Sequence, residues 1–168
     1  MIMKKCNCEF RIGIGQDSHK LSIKTKPLIL CGIEISKQNG FEANSDGDIF
    51  LHSLCNALSS AIGGDSLGTW ADEMYYKHGI TDSKKMLDVV FQKVKNLGYV
   101  VNNVSFSAEG KKPFLTQKIT DKMKMSVAKL LNIKKGQVGI TLTSGETLTS
   151  FGKGQGIQVF TVVSLVKK

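Results

Sequence analysis

The sequence predicts a single α+β domain in which helices cover a mixed sheet of four to five strands. Three observations lead there. Segments with a period of two stand near both ends of the chain, at residues 10–14 and 157–166. Between them lie three stretches with apolar residues at helical spacing. No internal repeat or low-complexity linker separates these pieces. At 168 residues and 41% hydrophobic, the chain suffices for one core, which at this size buries about 70% of the unfolded surface. A second domain would be cramped, so one domain over residues 1–168 is expected, with residues 1–9 as an N-terminal extension.

Phe10-Arg11-Ile12-Gly13-Ile14 alternates apolar with polar or small residues and runs into Gly15-Gln16, as a strand does when it stops at a functional mouth. Residues 28–35, interrupted by Gly32, read as a strand pair or hairpin. Ser45-Asp46-Gly47-Asp48 places an acid three residues after a serine, a shortened capping box that opens a helix. Leu51, Leu54, Leu58 and Ile62 form its apolar stripe, with Cys55 and Ala61 beside it. Residues 83–97 form an amphipathic helix that turns Met86, Val89, Val90 and Val94 inward and ends at Gly98. Residues 99–108 read as a strand. Residues 114–131 are helical, with Ile119, Met123, Val127 and Leu130 on one face and solvated lysines on the other. Residues 137–141 and 157–166 are the last strands. The final one is apolar on both faces, Val159, Thr161, Val163 and Leu165 against Phe160, Val162 and Ser164. That pattern implies helices on one side and subunit neighbours on the other.

The chemistry sits on Asp17, His19 and His52. Residues i and i+2 of an extended strand point the same way, so Asp17 and His19, just past the first strand, converge on one ion. His52, about two turns into the helix, comes in from opposite. One carboxylate, two imidazoles and a vacant fourth position describe a catalytic rather than a structural zinc site. A lone histidine beside an apolar helix face is more often a core or surface residue; it is the set of three that points to metal. Asn56, one turn beyond His52, is placed to hold that ring's second nitrogen.

The formal charge of +9 comes almost wholly from lysine, since Arg11 is the sole arginine. Arginine is the preferred reader of phosphate and guanine, and there is no aromatic platform, so nucleic-acid recognition is not expected. Cys6-Asn7-Cys8 lacks the spacing of a zinc ribbon, Cys55 packs as a small hydrophobe, and reduced thiols are expected throughout. Met1-Ile2-Met3-Lys4-Lys5 precedes no long apolar run, so neither a signal peptide nor a membrane span is expected, and the location follows as cytoplasmic.

Several ordered blocks resemble one family. They are Arg11-Ile12-Gly13-Ile14-Gly15-Gln16-Asp17-Ser18-His19, then Ser45-Asp46-Gly47-Asp48 with His52, then Ile80-Thr81-Asp82-Ser83, then Thr143-Ser144-Gly145-Glu146 leading to Gly152-Lys153-Gly154-Gln155-Gly156-Ile157. The chain resembles the 2-C-methyl-D-erythritol 2,4-cyclodiphosphate synthases of the non-mevalonate isoprenoid pathway from about Phe10 to Val166, and most of all a chlamydia-like branch. The resemblance implies a homotrimer with active sites between subunits, and a reaction in which a cytidine diphosphate substrate cyclises with loss of CMP. It implies zinc on Asp17, His19 and His52, and a second divalent ion, Mg2+ or Mn2+, on Glu146 and the substrate phosphates. Asn44 and Ser144 fall at catalytic positions. Asn44, Ser45, Asp65, Ser66, Leu67, Gly68, Thr143, Ser144, Gly145, Glu146 and Lys153 fall at substrate-binding ones.

The chain also departs from the family pattern. Asn44 stands where many members have histidine, Asn56 where they have aspartate, and Ser66 where an Asp-Ile-Gly aspartate aligns, with Asp65 beside it. Glu109-Gly110-Lys111-Lys112-Pro113 replaces the Ala-x-Ala-Pro-Lys loop that cradles cytosine. Ser150 and Lys153 stand where a phenylalanine and an arginine often line a central pocket for an isoprenoid diphosphate. These departures define the alternative function, a catalytically impaired descendant that binds metal and nucleotide as a scaffold.

Overall fold

A computed structural model describes residues 9–168. The expected N-terminal extension, with Cys6 and Cys8, lies outside the described residues apart from Glu9. Among those described, the order is β1 (Phe10–Lys20), β2 (Leu28–Leu30), β3 (Ile33–Ser36), α1 (Ile49–Ala61), α2 (Gly68–His78), α3 (Ser83–Asn96), β4 (Tyr99–Glu109), α4 (Gln117–Leu131), β5 (Val138–Thr143) and β6 (Gly156–Lys167). Short 3-10 turns at Lys135–Gln137 and Gly145–Thr147 precede and follow β5. Four strands make one mixed sheet in the order β1-β6-β4-β5, with β4 and β5 parallel and the other pairs antiparallel. The described residues thus form a single α+β domain with a four-stranded mixed sheet and four helices. β2 and β3 form a separate hairpin through Cys31 (φ 55) and Gly32 (φ 75). Positive φ at both turn residues matches the right-handed twist of a two-residue hairpin.

β1 does not stop before Asp17. It pairs with β6 without a bulge from Phe10↔Val166 to Lys20↔Gly156, so Asp17 and His19 are strand residues. Backbone pairing to β6 decides this, and the alternation of apolar residues, which fades after Ile14, does not report it.

On one face of the sheet, Val159, Val163 and Leu165 are fully buried beneath α1 and its neighbours. α1 is buried on nearly every side. It approaches β1 so closely that a Cβ on Gly13 would lie 2.1 Å from the Ala57 carbonyl, and one on Gly15 2.1 Å from that of Ser53. Only glycine permits this approach, with strand backbone seated on helix backbone. Ser53 and Thr161 join their hydroxyls at 2.6 Å across the same interface, leaving neither buried oxygen unpaired. Among the described residues the opposite face is uncovered: Ile12 is 62% and Ile14 60% exposed, with Phe10, Phe160 and Val162 also exposed.

Three expected boundaries and faces shift. Asp48, not Ser45, caps α1, its Oδ1 accepting from the Leu51 amide at 3.1 Å. α4 starts at Gln117 behind a Thr116 cap, and Phe114 is exposed. On α3, Leu87 and Phe91 are buried with Met86, Val90 and Val94, whereas Val89 faces solvent at the edge of the stripe. No periodic pattern in the sequence predicts the helix α2. Cys31 and Cys55 are free and buried, Cys55 in the core as expected, and no helix among the described residues is long and apolar enough to cross a membrane.

Asp48 is fully buried and also accepts from the amides of Cys31 (2.9 Å) and Gly32 (2.5 Å) in the hairpin turn. Removing it leaves three N–H groups, two of them buried, without their acceptor, each buried one costing about 1–3 kcal/mol. Asp48→Ala should therefore lower stability by about 3 kcal/mol or more in urea melts, and Asp48→Asn, which keeps an acceptor oxygen, by less. Burial pushes the Asp48 carboxyl up from 3.8 to about 6, against the pull of the amides. The native state thus holds a proton that the unfolded chain releases between those values. The associated stabilisation is fully present below about pH 3.8 and lost as the pH rises through about 6. Relative to Asp48→Asn, the wild type should gain stability as the pH falls across this window.

Candidate active site

β1 carries Asp17 and His19 on one side of the sheet's end, and the first turn of α1 brings His52 onto them. His52 Nδ1 lies 3.1 Å from Asp17 Oδ2 and 3.1 Å from His19 Nε2, and His19 Nε2 lies 3.4 Å from Asp17 Oδ2. Donors about 2.0–2.1 Å from a tetrahedral zinc stand about 3.3–3.4 Å apart. The observed triangle fits a metal ion of that size with three protein ligands. Burial holds the His19 ring below its ordinary value, outweighing the pull of Asp17, so its lone pair is available at neutral pH. His52 is 6% exposed.

Asn56 does not support His52. Its Nδ2 donates to the Gln16 carbonyl (3.2 Å) and its Oδ1 accepts from the Leu67 amide (2.7 Å), which ties α1 to β1 and to the start of α2. The second nitrogen of His52 meets hydroxyls instead, Ser83 Oγ at 2.9 Å and Ser45 Oγ at 3.3 Å. Ser83, the first residue of α3, belongs to the Ile80-Thr81-Asp82-Ser83 block, in which the sequence assigns it no role. Its neighbour Asp46 accepts from both the Ser83 hydroxyl and the Ser83 amide. Residues so far apart in sequence give no periodic signal.

A cavity of about 290 Å³ opens beside the triangle, lined by Asn44, Ser45, Ser66, Leu67 and Gly68 from the expected set. Its far wall is α2, through Ala71, Asp72 and Tyr75. Lys26 donates to the carbonyls of Ala43 (3.0 Å) and Ser45 (2.9 Å), fixing the loop that presents Asn44 and Ser45. Asp65 is exposed and outside this lining, contributing its carbonyl to Ser59 Oγ.

Thr143 at the end of β5, with Ser144, Gly145 and Glu146 just after it, stands at the opposite edge of the sheet, whereas Lys153 lies on the segment that returns to β6 beside β1, where the Gln155 carbonyl accepts from the Leu21 amide at 3.0 Å. β1 and β5 run the same way with β6 and β4 between them, so the triangle and the Thr143–Glu146 segment share an end of the sheet but stand about 14 Å apart, three strand spacings. Glu146 (φ 44) and Thr147 (φ 63) adopt left-handed backbone without being glycine, a strain that collects at functional loops. Ser144 Oγ donates to Glu146 Oε1 at 3.0 Å.

The profile of the YgbB family matches residues 10–166. A 2-C-methyl-D-erythritol 2,4-cyclodiphosphate synthase of Chlamydia caviae is 42% identical over 160 residues, 94% of this chain and 90% of that protein. The chain belongs to the YgbB family of 2-C-methyl-D-erythritol 2,4-cyclodiphosphate synthases. Among solved YgbB-fold structures, a Plasmodium falciparum synthase in complex with CDP superposes with a TM-score of 0.80 at 26% identity, over 95% of this chain and 97% of that one. The bifunctional protein of Campylobacter jejuni superposes with a TM-score of 0.89 at 26% identity over 96% of this chain, which spans 43% of that longer one.

The triangle depends on how closely β1 and α1 approach. Gly15→Ala should push His52 away from Asp17, lower the melting temperature and weaken divalent-metal binding at least tenfold by calorimetric titration. Unchanged affinity would separate the glycine contact from the site.

Proposed function

We propose that the protein cyclises 4-diphosphocytidyl-2-C-methyl-D-erythritol 2-phosphate to 2-C-methyl-D-erythritol 2,4-cyclodiphosphate and releases CMP, acting as a phosphorus–oxygen lyase in non-mevalonate isoprenoid synthesis. The observation that carries this reading is the ligand triangle at the mouth of a cavity lined by Asn44 and Ser45, in a chain 42% identical to a curated synthase. The 2-phosphate oxygen attacks the β-phosphorus, the bridging bond to the α-phosphate breaks, and that oxygen leaves with CMP. No protein nucleophile is needed.

The obstacle is bringing two anionic groups of one molecule together, so the protein positions and neutralises. Asp17, His19 and His52 would hold zinc and Glu146 would help hold a second divalent ion, Mg2+ or Mn2+, and these ions would supply Lewis-acid polarisation and charge neutralisation. Ser66, Leu67 and Gly68, with Asp65 beside them, bound the methylerythritol end, and Ser45 contacts the substrate. Asn44 donates a hydrogen bond to the reacting phosphoryl group. Thr143, Ser144 and the Gly145 backbone hold the diphosphate, with Ser144 donating where charge develops, and Lys153 adds a neutralising cation.

The triangle and the Thr143–Glu146 segment lie at opposite edges of one sheet, which favours completion of each site by a neighbouring copy. The uncovered apolar face bearing Ile12, Ile14 and Phe160 gives such copies a surface on which to pack. Both features support a homotrimer with sites at its subunit boundaries. CDP in the Plasmodium relative supports a cytidine nucleotide as the bound moiety. The free thiols of Cys31 and Cys55 agree with a cytoplasmic setting.

Purified protein given the cytidylated substrate should release CMP, and a chelator should abolish the release. Substrate-induced thermal stabilisation without CMP would instead favour the scaffold descendant, whose basis is Asn44, Asn56 and Ser66. His52→Ala should lose its zinc by elemental analysis; retained zinc would refute the ligand assignment.

A further inference from the structure

We propose that Asp46 and Ser83 form a hydrogen-bond relay that fixes the proton of His52 on Nε2 and thereby reserves Nδ1 as a metal ligand. Both are positioning residues that act through His52, and the inference rests on the zinc reading above.

The argument is a count of protons. A serine hydroxyl has one hydrogen and two lone pairs, and an ionised carboxylate has only lone pairs. Ser83 Oγ touches Asp46 Oδ1 at hydrogen-bonding range, so the hydroxyl hydrogen lies between them. Having spent its hydrogen, Oγ can only accept from its other neighbour, His52 Nε2 at 2.9 Å. That contact therefore requires a hydrogen on Nε2. With one proton on the ring, Nδ1 is left with a lone pair, and it faces Asp17 Oδ2 at 3.1 Å and His19 Nε2 at 3.1 Å. A lone pair set against a carboxylate and a second ring nitrogen is stable when a cation lies among them.

Asp46 is itself held in place. Its carboxylate also accepts from the amides of Ser83 (3.0 Å) and Asp48 (3.2 Å), and its own amide donates to the Thr81 carbonyl (2.9 Å). The relay thus joins the start of α3 to the ligand on α1, and Ser83 is fully buried. It supplies the support that a carboxylate one turn along α1 would give, at the position where this chain carries Asn56. Ser45 Oγ also approaches Nε2, at 3.3 Å, but it accepts from the Gly47 amide and touches no carboxylate.

Outer partners of this kind change metal affinity about 10–100-fold. Zinc affinity is measured on the full chain by competition with a chromophoric chelator, and the His52 ring Nε2–H by proton–nitrogen correlation of the zinc-loaded protein. Ser83→Ala should bind zinc about 10–100-fold more weakly and show the ring N–H exchanging rapidly with water. Ser83→Thr, which keeps the hydroxyl, should restore both, and Ser45→Ala should leave both close to wild type. Asp46→Asn, which keeps an acceptor oxygen but not the charge, should fall between and carries the test if Ser83→Ala does not fold. Wild-type affinity and a protected N–H in Ser83→Ala or, if that variant does not fold, in Asp46→Asn would overturn the relay. So would a loss that follows Ser45 in place of Ser83. A wild-type protein that takes up no zinc would sink the zinc reading itself, and with it the relay's purpose, before any variant is compared.

Discussion

The site depends on strand backbone lying directly against helix backbone, where β1 meets α1. Gly13 and Gly15 leave no room for a side chain between the strand and the carbonyls of Ala57 and Ser53, and this near approach sets where the first turn of α1 falls relative to the end of β1. Two ligands ride on the strand and one on the helix, so the width of the contact sets the size of the triangle. Helix and sheet usually meet through layers of side chains, whose rotamers would blur such a distance. Here the spacing is set by main-chain atoms, which have no comparable freedom.

That rigidity suits a reaction in which the protein contributes geometry more than proton transfer. Asp17, His19 and His52 stand at tetrahedral spacing, His19 is kept neutral by burial, and the loop with Asn44 and Ser45 is anchored by Lys26. The polar groups around the triangle are paired: among the described residues, no buried side-chain nitrogen or oxygen lacks a partner. Each therefore has a defined orientation before any substrate arrives, which is the condition under which fixed dipoles lower a barrier.

Much of this was legible in the sequence, for physical reasons that can be named. The i, i+2 placement of Asp17 and His19 is a property of any strand, and the turn of the hairpin at Gly32 follows from its need for positive φ. α3 and α4 announce themselves because one face of each is apolar. No stripe marks α2, because Ala71 is its one buried residue, although the helix walls the cavity. The cap of α1 was misplaced because Ser45, Asp46 and Asp48 are all competent acceptors; the amides of the distant hairpin turn select Asp48. Helical spacing points Asn56 at His52, whereas the ring turns toward Ser83, thirty-one positions away. The separation of the Thr143–Glu146 segment from the triangle likewise depends on strand order, which no local pattern encodes.

Asp48 binds two pieces of structure with one carboxylate, since the amides of Cys31 and Gly32 in the hairpin and of Leu51 in α1 all terminate on it. If the start of α1 opens, the hairpin amides lose their acceptor, and if the hairpin opens, the buried carboxyl of Asp48 loses two of its three donors. The hairpin, a small two-stranded element that would fray if it stood alone, thereby borrows the lifetime of the most deeply buried helix. Its turn amides are tied to the same cooperative unit as α1.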